Sequence, residues 1–283
     1  MVLGEALAVL SAALYASGEI FVKRGLMSGG TVFRSLYITA IMNNLVLWPP
    51  ALLSVDPSRI GLIGLGFLML GGLMGSTLAR MMRVVALGNL GVGGSAPLVA
   101  SYPLFAALFA IAIRGEQLTA TLAFGTVLIV LGVSLLFRGE WKISRLGVLV
   151  SLSAAVLFGA AESFRKLGVI EVGSPSFAAA VGAIVTLASV TSYSKATGSA
   201  TGGDRRTGWL FIGCGIANSA ALLTTFMALS IADVVVVAPL SNTTALFAII
   251  LAKLFLSEHE RITPRIVVSA LTVLAGATLI VAR

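Results

Sequence analysis

Glu19 and Lys23 stand four residues apart in "EIFVKRG" (19–25), and Glu162 and Lys166 repeat that spacing in "ESFRKLG" (162–168). On a helix, an acid and a base at i,i+4 share one face, so each pair is a candidate ion pair. Both motifs close long apolar runs, which leaves two readings. At a helix end, long charged side chains snorkel to water. Deeper inside a membrane an acid is costly and marks a binding or proton-handling step. If the first helix runs on to the Gly29–Gly30 break, Glu19 lies about 15 Å inside it at 1.5 Å per residue. Tyr15 precedes Glu19 by one turn on the same face, and its counterpart in the second motif is Phe158. Arg24 and Arg165 read as interfacial anchors.

Other polar groups punctuate the apolar runs: Asn43, Asn44, Tyr102, Asn218, Asn242 and Thr243. Each needs a partner on a neighbouring helix, on water or on a ligand. Pro97 and Pro239 fall in the first half of two of these runs, where a proline removes a hydrogen bond and kinks the helix. Tyr102, Asn242 and Thr243 follow those prolines by one to two turns and are therefore candidates for lining a cavity, with Tyr15, Glu19, Glu162 and Asn218. Glu116 and Glu258 precede helix starts and read as capping residues. His259, the single histidine, lies in a charged joint. Gly71 and Gly75, four apart, permit close helix packing.

These residues are carried by a chain of 283 residues that is 58% hydrophobic and 11% charged, with mean hydropathy +1.05. Soluble domains carry roughly 25% charged residues, so this composition predicts an all-α membrane protein. Ten apolar stretches, each near the roughly 20 residues that cross a bilayer, span about 3–25, 32–54, 60–86, 89–112, 119–137, 146–168, 176–194, 208–230, 232–256 and 264–282. The net charge of +8 comes from Lys and Arg scattered between these runs, as in membrane-protein loops, and not from a nucleic-acid-binding patch. A single cysteine, Cys214, excludes an internal disulfide. No phosphate-binding loop, metal-ligand cluster or convincing catalytic triad is present, so neither a cofactor nor an enzyme activity is expected.

The chain repeats itself. A shift of 143 superposes Glu19, Phe21, Lys23 and Gly25 on identical residues; a shift of 142 superposes "APL" at 96–98 on "APL" at 238–240 and Glu116 on Glu258. Five helices per copy, over 1–140 and 141–283, is an odd number, so the second copy enters the membrane from the opposite side. The expected architecture is ten transmembrane helices in two inverted-topology five-helix repeats around a central cavity, the arrangement of many secondary transporters.

The stretches "APLVASYPLFAALFAIAIRGEQLTATLAFGTVLIVLGVSLL" (96–136) and "APLSNTTALFAIILAKLFLSEHERITPRIVVSALTVLAGATLI" (238–280) resemble the closing signature of EamA-type repeats of the drug/metabolite transporter superfamily. That resemblance implies a ten-helix carrier of a small molecule such as an amino acid, another metabolite or a drug, in the plasma (inner) membrane. It also supports a functional role for Glu19, as a group that binds solute or exchanges a coupling proton. The alternatives are a passive channel, a non-transporting subunit, or an intramembrane enzyme. Assigning Lys and Arg by side puts 14 of 19 in the joints after odd-numbered helices. By the positive-inside rule both termini are then outside, whereas the resemblance implies termini in the cytoplasm.

Overall fold

The computed structural model describes residues 2–136, 144–198, 204–255 and 264–282, so Glu258 and His259 lie outside the described residues. Among the described residues the chain is helical throughout, without a strand. Backbone amides cannot be left unpaired in lipid, and a helix satisfies them within each segment. The helices are α1 (Val2–Met27), α2 (Val32–Ser54), α3 (Leu62–Gly71), α4 (Arg80–Val99), α5 (Tyr102–Arg114), α6 (Ala120–Leu136), α7 (Arg145–Val172), α8 (Pro175–Thr197), α9 (Arg205–Ile231), α10 (Val234–Ser241), α11 (Thr244–Phe255) and α12 (Pro264–Val281). A π-helical segment, Gly72–Ala79, joins α3 to α4 without a break.

Local sequence sets the ends. Thr31, Ser144, Ser174 and Asp204 cap α2, α7, α8 and α9 with side-chain oxygens that accept from amides of the first turn, satisfying donors that have no partner inside the helix. Gly115 and Gly173, at φ of 65° and 68°, end α5 and α7 in the left-handed conformation that glycine adopts without strain. In the joint before α3, the Ser58 hydroxyl and amide donate to Asp56 and hold its carboxyl below the usual carboxylate range.

Six helical stretches are long and apolar enough to cross a bilayer: Leu3–Met27, Val32–Ser54, Leu62–Arg83, Arg145–Val172, Pro175–Thr197 and Arg205–Ile231. Their outward faces carry bare apolar side chains, such as Leu53 at 89% and Leu62 at 88% exposure, which only lipid accommodates. The protein is a multi-pass membrane protein. Shorter apolar helices complete the bundle, and α10 with α11 reaches about 33 Å only when the two pieces are taken together.

Two joints differ from the sequence reading, each for a local reason. The glycine-rich "LGNLG" (87–91) is helical, part of one helical run from residue 62 to 99; glycines are tolerated in helices that neighbouring helices support. The interruption falls instead at Ala100–Ser101, just before Pro103 opens α5. The run expected over 232–256 is likewise interrupted, at Asn242–Thr243. These two breaks occupy equivalent positions at a shift of 142 and share one geometry. Ser101 N donates to Leu98 O and Leu104 N to Ser101 O; Thr243 N donates to Leu240 O and Leu246 N to Thr243 O. Each break comes three residues after a proline, Pro97 or Pro239.

Helix packing is reciprocal. Helix α1 packs on α9, and its equivalent α7 packs on α3 and the π segment; α1 also packs on α10 and α11, and α7 on α4 and α5. Helix α2 packs on α8 and α6 on α12, each against its own equivalent. Gly71 and Gly75 make the α3–α7 contact: a Cβ at Gly75 would lie 2.8 Å from Ala161 Cβ, and one at Gly71 would lie 2.9 Å from Arg165 Cγ.

Candidate functional site

Helix α1 continues to Met27 and α7 to Val172. Glu19 is therefore about 12 Å, and Arg165 about 10 Å, short of its helix end at 1.5 Å per residue. Both motifs are inside their helices. Arg165 is accordingly not an interfacial anchor. It is 8% exposed and donates to Glu162 Oε1 at 2.9 Å and to Ser76 Oγ at 3.0 Å. Glu162 pairs with Arg165 at i+3 and not with Lys166 at i+4, because Lys166 is drawn from another face of α7 to the carbonyl of Ala232. Arg24 fits its expected role: exposed, it donates to Phe255 O at 2.5 Å with its guanidinium over the Phe255 ring.

The two first helices of the repeats face one another across a polar cluster. Tyr15 has Arg165, Glu162 and Arg80 as charged neighbours and Thr225 beside its hydroxyl. Tyr102 is coupled to Glu162, Tyr15 and Arg165, and its ring lies 6.1 Å from that of Phe158. The second carboxylate oxygen of Glu162 is buried with no partner. Glu19 has Arg83 and Arg80 as charged neighbours and remains exposed although it sits in mid-helix. Lys23 is exposed one turn further on.

The cluster is shut off at one end. There α1 meets the α9–α10 joint so closely that a Cβ on Gly4 would lie 2.5 Å from Ala232 Cβ. Lys166, buried, donates to Ala232 O at 2.6 Å and lies 4.0 Å from the Asp233 carboxylate. Glu116 Oε2 accepts from Val235 N at 3.1 Å while Oε1 lies 3.4 Å from Arg114 Nε. Glu116 is thus a cap, of α10 across the bundle and not of the helix that follows it. Glu19 is about 22 Å along α1 from Gly4. A cleft of about 330 Å³ opens beside the cluster, lined by α2, the π segment, the start of α4 and α8.

A family model described as the EamA-like transporter family matches the chain twice, over residues 2–138 and 145–282. The chain belongs to this family. A solved structure described in no further terms than as the crystal structure of a protein aligns with a TM-score of 0.81 at 17% identity, covering 98% of this chain and 95% of that one. At that identity the likeness shows the fold alone. No curated protein gives a significant match.

Within this EamA-like chain the remaining candidates are tied up in structure. Asn218 Oδ1 accepts from Asn43 Nδ2 at 3.1 Å, and Ser219 donates to Asn43 Oδ1 at 2.9 Å, binding α2 to α9. Asn242 Nδ2 donates to Ala100 O at 2.8 Å, and Tyr102 Oη donates to Ala238 O at 2.9 Å. Thr243 Oγ1 returns to Leu240 O in its own chain segment. Asn218, Asn242 and Thr243, expected to line the cavity, are therefore occupied by bonds within the bundle in this conformation, since buried polar groups take whatever partners the fold offers. Pro239 is buried within α10, and residue 97 lies in the last turn of α4.

Arg80 and Ser76 are the residues that sequence reading passed over. The charge count by side takes Arg80 and Arg83 with the joint after the third stretch (60–86), yet Arg80 begins α4 and Arg83 lies within it, inside a continuous helical run. Two arginines that sit in helix also drop out of the charge count that set the orientation. The available signal was an arginine within "GLMGSTLARMMRVV" with no loop residue near it.

Proposed function

We propose that the protein is a secondary carrier of a small metabolite, amino acid or drug, working by alternating access in the plasma membrane. Its two halves, 1–140 and 141–283, are five-helix units of inverted topology, and the reciprocal packing of α1 on α9 and α7 on α3 supports that arrangement. The observation that carries the reading is the asymmetry of the cluster. Glu19 is exposed in mid-helix, while the far end is sealed by Lys166 on Ala232 O and by Glu116 on Val235 N. A chamber reachable from one end is one of the two states a carrier alternates between. The other state is reached by rocking one half on the other about the paired helix breaks.

Glu19 is the first candidate for coupling to protons: it is an acid inside the membrane with no ion pair among the described residues and two arginines as neighbours. Tyr15, Tyr102 and Glu162 form the polar cluster beside the cleft, and the solute passes between the two as the halves rock. The test is counterflow of labelled amino acids and drugs in reconstituted liposomes, with and without a pH gradient. A carrier gives saturable counterflow and a pore does not. Glu19→Gln should abolish the response to the gradient, and an unchanged response removes Glu19 from coupling.

A further inference from the structure

Arg80 is held differently from the other arginines inside the bundle. Arg34 is buried and donates to Thr207 Oγ1, and Arg165 is paired with Glu162 and Ser76. Arg80, half-buried, has neither a hydrogen bond nor an ion pair among the described residues. A guanidinium stays protonated and offers five donors in a planar fork, and leaving it uncompensated within a membrane span is costly. It lines the cleft of about 330 Å³, at the lower end of the range for small-molecule sites. Thr77, on the same cleft wall, has a buried hydroxyl with no partner among the described residues. Arg80 therefore offers its donors to the cleft with no protein acceptor among the described residues to occupy them.

The charges around Arg80 decide the sign of the ligand. Arg83 neighbours it on α4, Arg165 on α7, Glu19 and Tyr15 on α1, and Cys214 on α9. Arg165 is already paired with Glu162 at 2.9 Å, which leaves Arg80 and Arg83 against Glu19. The opposite walls are apolar, with Val32, Phe33, Leu36 and Val190, while Ser189 and Tyr193 add hydroxyls.

We propose that this cleft seats a carboxylate on Arg80, so that the solute is a small organic acid with an apolar body. The fork geometry of Arg80 suits two parallel bonds to a carboxylate. A cationic ligand would meet the Arg80 guanidinium with no acid among the described residues of the cleft lining and be rejected. Ser76, in the π segment, ties Arg165 to the cleft wall that Arg80 also lines. The assignment rests on the carrier reading for its role as solute site, but binding can be tested without transport.

The experiment is calorimetric titration of the purified full chain in detergent with 3-phenylpropionate, 3-phenylpropionamide and 3-phenylpropylamine. The acid should bind about tenfold or more tightly than either neutral or cationic analogue, the scale of a charge-assisted hydrogen bond. Arg80→Gln should level the three affinities, and Arg80→Lys should restore part of the preference; both variants are first matched to wild type in melting temperature. Equal affinities, a preference for the amine, or an acid preference that survives Arg80→Gln overturns the assignment. Counterflow of some other solute with no binding of the acid overturns it while the carrier stands. Binding of the acid with no counterflow of any solute keeps the site and removes the carrier.

Discussion

Asn242 Nδ2 lies 2.8 Å from the carbonyl oxygen of Ala100, and these two residues occupy equivalent positions in the two repeats. The bond joins one helix break to the other. A second bond, Tyr102 Oη to Ala238 O, crosses between the same two broken helices. A carbonyl left without a partner in an apolar surrounding is costly; here Ala100 O is answered by Asn242 of the other repeat, and Ala238 O, which also accepts from Asn242 N, takes a second bond from Tyr102. The centre of the bundle is thus held by polar bonds at the place where the halves would have to pivot.

Removing that bond should loosen the centre without emptying the chamber. Asn242→Ala should lower stability by about 1 kcal/mol, the scale of interhelical hydrogen bonds in membranes. Thr243→Val, which only breaks a bond within its own segment, should cost less. Melting temperature in detergent orders the two variants.

The sealed end makes a sharper division between two partners of one lysine. The Lys166–Asp233 pair spans 4.0 Å and the Asp233 side chain is 57% exposed, which places it among surface pairs worth about 0–1 kcal/mol. The bond from Lys166 to Ala232 O is buried and charge-assisted, worth about 1.5–3 kcal/mol. Asp233→Asn should therefore be nearly neutral and Lys166→Met clearly destabilising. Thermal melts of both decide it, and equal losses would show that the acid is the true partner.

Packing of the π segment on α7 gives a third expectation. Gly75→Ala sets a methyl 2.8 Å from Ala161 Cβ, whereas a Cβ at Gly66 meets nothing within 4 Å. Overpacking costs about 1–3 kcal/mol, so Gly75→Ala should lower the melting temperature and Gly66→Ala should leave it unchanged. The Gly75 variant also displaces Arg165, because the new methyl falls 2.8 Å from its guanidinium, and solute binding should weaken with it.

Much of this was legible in the residues, for physical reasons. Composition alone requires the membrane, and the repeated Glu–Phe–Lys–Gly pattern points to α1 and α7 as equivalent helices. The partner of Glu162 was not legible, because i+3 and i+4 neighbours share a helix face and only the fold shows Lys166 drawn off to Ala232. The helix breaks were not legible either. Ala100–Ser101 and Asn242–Thr243 carry no shared turn signature, while "LGNLG" has one and stays helical. Arg80 escaped notice because an arginine counted with the charges of a nearby joint carries no sign of its partners until the fold shows which elements surround it.

The most direct test of alternating access is a pair of spin-label distances measured in one protein in lipid nanodiscs, with Cys214 replaced by Ala. One pair, at Leu118 and Asp233, spans the sealed end; the other, at Met27 and Trp209, spans the end near Glu19. All four positions are exposed. As solute is added and pH is lowered, the Leu118–Asp233 distance should lengthen while the Met27–Trp209 distance shortens. Distances that change together, or that both stay fixed under a solute that binds, would contradict a carrier that opens its two ends in turn.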